Sequence, residues 1–195
     1  MDPRVARTRA ALVDAALETL ESAPVADLTV AALCAKAGVS RVAFYDRFGS
    51  IDALLVAAME AELDRVREAA AAIDPGGDRA EDEPPADLVE VFRIIGQHAG
   101  LYRAMLAETG SMAFLHRMRD ALRVAVRASM HRLPGSAEWP VAHETYYDYI
   151  AGAVVSVVIG WLSADDRRRG DDIARELWWL IAHRPDALLA AGARP

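Results

Sequence analysis

The side chains with the most to offer chemically lie in one short run, Ser40-Arg41-Val42-Ala43-Phe44-Tyr45-Asp46-Arg47. If Phe44 and Phe48 face inward on a helix, a step of about 100° per residue turns Val42, Ala43 and Asp46 outward. Tyr45 and Arg47 then fall on the two flanks. Arg41 comes at the helix start, where unbonded backbone N–H groups already favour a phosphate. A face of small residues bordered by Arg and Tyr can enter a DNA major groove, about 12 Å wide. The other reading of the same spacing is a packed helix pair with a polar rim.

Enzyme chemistry has no comparable concentration of residues. The histidines, at 98, 116, 131, 143 and 183, form no i, i+4 pair and no H-E-x-x-H, so no metal or cofactor is expected. There is no G-x-S-x-G, no phosphate-cradling glycine loop and no dinucleotide fingerprint. Cys34 is the single cysteine, which excludes an internal disulfide or a multi-cysteine zinc site. The protein is not expected to be an enzyme.

The elements that must position the run are legible around it. Thr29 is a good N-cap for a short helix with Val30 and Leu33 at i, i+3, and Gly38 supplies a left-handed stop. Val39 packs inward and Ser40 caps the second helix, which makes a helix-turn-helix. Upstream, Leu12, Val13, Ala16, Leu17 and Leu20 form one helical face opposite Asp14, Glu18 and Glu21. Downstream, Leu54, Leu55, Met59, Leu63 and Val66 mark a single long helix over 50–73. Helical spacing recurs at Leu88-Val91-Phe92-Ile95, at Leu101-Met105-Leu106 and at Leu115-Met118-Leu122-Val126. Pro134, Gly135 and Pro140 interrupt it, and two last helices are expected over 141–164 and 171–183. The polar cluster Asp165–Asp172 reads as the solvated turn between them. The fold class is all-α with about nine helices and no strands.

Composition sets the outer bounds. The chain of 195 residues is 53% hydrophobic and 26% charged, which fits a packed globular core rather than disorder. Its 22 basic and 29 acidic residues give a net charge of −7, which excludes a binder that is basic throughout. Residues 1–50 balance Arg4, Arg7, Arg9, Lys36, Arg41 and Arg47 against Asp2, Asp14, Glu18, Glu21, Asp27 and Asp46, so the remainder carries the whole deficit. The acidic, Pro- and Gly-rich run 74–87 reads as a surface loop. The N-terminus lacks a secretory h-region, and the apolar run Ile150–Leu162 falls short of the roughly 20 residues of a membrane helix. A cytoplasmic protein with no membrane partner is expected.

The stretch ALVDAALETLES…LTVAALCAKAGVSRVAFYDRFGSIDALL resembles the DNA-binding head of the TetR/AcrR transcriptional regulators. Helix order, the Ala-Gly-Val-Ser turn and the aromatic run into the next helix agree together over about the first 60 residues. The resemblance implies a helix-turn-helix DNA-binding domain over 1–50 and a ligand-binding and dimerisation domain over 51–195. It implies a homodimer, usually a repressor. Carried over, Thr29 and Ser40 cap helices and touch phosphate, Arg41, Val42 and Ala43 meet base edges or backbone, and Tyr45 contacts phosphate. Arg47 takes a place often held by His. The chain departs from the pattern at Ile51, where a phosphate-holding Lys is common, and at Asp46, whose carboxylate can accept from cytosine N4 or pair with a neighbouring Arg.

Such a mechanism needs two recognition helices about one helical turn apart, ~34–36 Å, on a pseudo-palindromic operator. The segment Ile150–Leu162 is apolar on nearly every face, which a lone surface helix does not tolerate. The expected interface comprises Ala151, Val154, Val155, Val158 and Trp161, with Leu177, Trp178 and Ile181 from the last helix. Gly152, Ala153 and Gly160 allow close approach. The other reading is a core helix of a monomer. For a small-molecule effector, Met59, Leu63, Phe92, Tyr102, Met105, Met118, Tyr146 and Tyr147 are candidate pocket residues, suited to an apolar or aromatic ligand. Plain core is the alternative for each. Two functions remain in view: a repressor released by such a ligand, and a helical ligand-binding or interaction protein whose head has weak or lost DNA affinity.

Overall fold

The computed structural model describes residues 3–76, 80, 83–132, 141–164 and 168–182. The expected breaks at Pro134, Gly135 and Pro140, much of the acidic loop (77–79, 81 and 82), Asp165, Asp166, Arg167 and His183 lie outside these residues. Every extended regular element among the described residues is helical. In chain order they are α1 (Pro3–Leu20), a 3-10 turn (Val25–Asp27), α2 (Val30–Ala37), α3 (Arg41–Arg47), α4 (Ile51–Ala58) and α5 (Glu60–Ala72). Then come α6 (Ala86–Gln97), α7 (Ala99–Leu106), α8 (Met112–Met130), α9 (His143–Ser163) and α10 (Gly170–Ala182).

The single helix expected over 50–73 is two helices. Met59, at φ −90° and ψ −1°, ends α4, and α5 begins at Glu60. The apolar stripe runs straight through the break, with Leu54, Leu55, Met59, Leu63 and Val66 all buried. Hydrophobic spacing records which face is covered and is blind to one residue leaving the helical ψ range.

The chain divides into two compact units, one of residues up to 64 with 98–120, the other of 65–97 with those from 121 onward. In the first, α1 packs on α2, α3, α4 and α7. Leu12, Ala16, Leu33, Phe44, Leu54 and Leu55 are buried there. The Ser111 hydroxyl donates to the Asp52 carboxylate at 2.6 Å and accepts the Phe114 N–H at 3.1 Å, tying the start of α8 to the start of α4. In the second unit α6 and α10 pack closely: a Cβ on Gly170 would stand 3.0 Å from the Phe92 carbonyl oxygen. The Trp161 ring lies on Phe92, centroids 5.9 Å apart, and its indole N–H donates to the Arg168 carbonyl at 3.0 Å. Among the described residues α9 is long and apolar enough to cross a bilayer. Here it buries Tyr147, Ile150, Ala151, Val154, Val155, Val158 and Leu162 within its unit.

Candidate nucleic-acid interface

Three successive helices are each started by a hydroxyl side chain. Thr29 accepts from the Ala32 N–H at 3.2 Å, Ser40 from Ala43 at 3.1 Å and Ser50 from Ala53 at 3.1 Å. Each bond satisfies one of the N–H groups that a helix start leaves open, at about 1 kcal/mol apiece. Gly38 ends α2 at φ 66°, ψ 33°, a left-handed conformation costly for other residues. The turn from α2 to α3 is thus set by local chemistry.

Phe44 anchors α3. It is fully buried, with Tyr45 edge-on at 5.3 Å and Phe48 at 6.2 Å between ring centroids. That anchor aims the opposite face of α3 at solvent. Val42 is 70% exposed and Tyr45 56%, and Arg41, Asp46 and Arg47 are exposed while Ala43 is partly so.

Four basic side chains of the head contrast in their partners. Lys36 pairs with Glu18 at 3.2 Å and donates to the Thr19 hydroxyl at 3.3 Å, and Arg9 pairs with Glu60 at 3.5 Å. Arg41 and Arg47 have no ion pair among the described residues, and neither does Asp46. Two exposed guanidiniums therefore stand at the two ends of α3, whose outward side carries Val42. Thr29 and Ser40 are exposed at the starts of their helices. The eight residues singled out from the sequence thus lie on or beside one helix-turn-helix surface.

The expected pocket residues fall in two places. Met59, Leu63, Tyr102, Met105 and Met118 are buried in the first unit, where Tyr102 packs on Phe114 with centroids 6.0 Å apart. Phe92, Tyr146 and Tyr147 belong to the second unit. That unit contains a cavity of about 530 Å³ lined from α5, α6, α8, α9 and α10, and of the expected residues Tyr146 is on its wall. Burial pushes the Tyr146 hydroxyl pKa up, and the neighbouring Tyr149 adds to the shift. Sequence reasoning missed Ser129, whose position on the apolar stripe Leu122-Val126-Ser129 of α8 was the available signal.

The expected interface residues divide similarly. Ala151, Val154, Val155, Val158 and Leu177 are buried inside the second unit, Trp161 lies against Phe92, and Trp178 and Ile181 line the cavity. The face of α9 left open carries Gly152, Ala153, Ser156 and Gly160, with Tyr149 66% exposed. Space around the two glycines is empty to 4 Å.

Comparison with known proteins bears on this geometry. Residues 12–58 match the bacterial regulatory proteins of the tetR family, and residues 82–183 match a transcriptional regulator C-terminal region. Similar solved structures include a TetR transcriptional regulator from Streptococcus agalactiae, with a TM-score of 0.66 at 18% identity over 94% of this chain and 97% of that one. The multidrug binding protein EbrR, complexed with imidazole, gives 0.60 at 19% identity over 91% and 96%. RolR, complexed with resorcinol, gives 0.58 at 18% over 100% and 97%. No curated protein matches the chain significantly. The first matched segment covers the capped helix pair that displays Arg41 and Arg47, the second covers the cavity-bearing helices, and the chain belongs to the TetR family of DNA-binding transcriptional regulators.

Proposed function

We propose that the protein is a repressor that binds a pseudo-palindromic operator as a homodimer and is released by a small apolar or aromatic molecule. The DNA-binding head is residues 1–50, and residues 51–195 carry ligand binding and dimerisation. The observation that carries the reading is the outward face of α3: exposed Val42 and Tyr45 flanked by Arg41 and Arg47, neither with an ion pair among the described residues. Val42 and Ala43 meet base edges, Asp46 accepts from a cytosine amino group, and Arg41, Arg47, Tyr45, Thr29 and Ser40 hold phosphate. The partner copy covers the open face of α9, where Gly152, Ala153, Ser156 and Gly160 let two backbones approach; Tyr149 of α9 and Leu180 of α10 are also exposed. The cavity of the second unit is the effector site. EbrR with imidazole and RolR with resorcinol, related folds holding small cyclic molecules, support that assignment. A ligand moves the equilibrium between DNA-binding and released states by its difference in affinity for the two. Operator binding takes place in the cytoplasm.

The test is a selection of bound duplexes from a random pool, repeated with Arg41→Glu/Arg47→Glu. The wild-type chain should enrich a two-fold related sequence, and the double variant should enrich none while melting at the same temperature. Equal enrichment by both would remove α3 from the interface.

A further inference from the structure

Phe44 is fully buried and fixes the inward direction of α3. At about 100° per residue, Val42 and Asp46 each fall within about 20° of the opposite, outward direction. They are four residues apart, so they stand one above the other on one face, separated by about 6 Å of helix rise. Both are exposed, and Asp46 has no ion pair among the described residues. Ala43 and Tyr45 lie to either side of this stripe, and Arg41 and Arg47 at the helix ends. The stripe itself offers an isopropyl group and a carboxylate: one apolar contact, one acceptor and no donor.

Base edges in the major groove differ in what they present to such a stripe. Guanine shows two acceptors, N7 and O6, adenine an acceptor and an amino group, and cytosine an amino group. Thymine shows an acceptor beside a C5-methyl, the one apolar substituent of the four. An isopropyl group set over a guanine, adenine or cytosine edge strips water from polar atoms and returns no hydrogen bond. Set on the thymine methyl, it removes apolar surface from water on both sides of the contact. The carboxylate four residues on is repelled by N7 and O6 and accepts from the cytosine amino group.

We infer that Val42 reads the 5-methyl group of a thymine in each half of the operator. The inference rests on α3 being the helix that enters the major groove. The thymine lies within about two base-pair steps of the cytosine taken by Asp46, because about 6 Å of helix spans just under two steps of about 3.4 Å. Loss of one buried methyl costs about fourfold in affinity per half-site, or about fifteenfold over both.

The test uses the full chain and a duplex taken from the enriched pool of a random selection, followed by fluorescence anisotropy at fixed salt. Each thymine of the half-site is replaced in turn, at both symmetric positions, by deoxyuridine, which lacks only the 5-methyl group. At one position the exchange should weaken wild-type binding about fifteenfold. Val42→Ala should abolish that difference while melting at the wild-type temperature. Selection with Asp46→Ala should relax a cytosine no more than two steps from the same thymine. A half-site without thymine, deoxyuridine duplexes that all bind as tightly as the parent, or methyl preferences that all survive Val42→Ala would each overturn the role of Val42 and leave operator binding by α3 standing. If the wild-type chain and Arg41→Glu/Arg47→Glu enrich the same sequences, the reading of α3 itself falls, and this inference falls with it.

Discussion

Replacing Arg41 and Arg47 by glutamine probes the interface through its salt dependence. Both side chains are exposed, so their removal breaks no ion pair among the described residues. Arg9 and Lys36 pair with Glu60 and Glu18 instead. Each neutralised phosphate contributes about −0.9 to the slope of log affinity against log salt. Two arginines in each of two protomers make four contacts, or a slope of about −3.6. Over a fourfold rise in salt these charges alone account for a loss of roughly 150-fold in affinity. The double variant should therefore bind a selected operator with a slope shallower by about 3.6. Its folding free energy should stay within about 0.5 kcal/mol of wild type, as for other exposed substitutions. Fluorescence anisotropy across a salt series and urea unfolding monitored by circular dichroism measure the two quantities. An unchanged slope would refute the placement of these guanidiniums on phosphate, and a large loss of stability would show that they hold the fold.

Other residues give further tests. Ser40→Ala removes the bond from the Ala43 N–H and should cost about 1 kcal/mol in urea unfolding. Ser40→Asp keeps the cap but sets a carboxylate against phosphate, so stability should be retained and operator affinity lost in a gel shift. Gly152→Glu/Gly160→Glu places side chains where the chain itself offers nothing within 4 Å. Folding should survive that change, and light scattering after size exclusion should report a monomer with weakened operator binding.

The head was readable because its signals are local. A hydroxyl before a helix, a glycine at its end and two phenylalanines four apart fix Thr29, Ser40, Gly38 and the direction of α3 within a few residues of chain. The break at Met59 was hidden because the same face is buried on both sides of it. The cavity was hidden for a different reason. It is space left where five helices from distant stretches meet, and no residue type marks space. Tyr102, Met105 and Met118 have the composition of a pocket and the packing of a core. On α9, apolar character on nearly every side conceals a real division. Tyr147, Ile150, Val154, Val155, Val158 and Leu162 are buried within the chain, and Gly152, Ala153, Ser156 and Gly160 are left on the open side.

The most direct test of the central claim attaches a photo-crosslinker at Val42→Cys, with wild-type Cys34 only 4% exposed and so protected from labelling. On a selected operator duplex, crosslinks should map to bases in two major-groove segments related by two-fold symmetry and about 34–36 Å apart. Crosslinks confined to one segment, or absent while the labelled protein stays bound, would contradict α3 as the helix that reads DNA in duplicate.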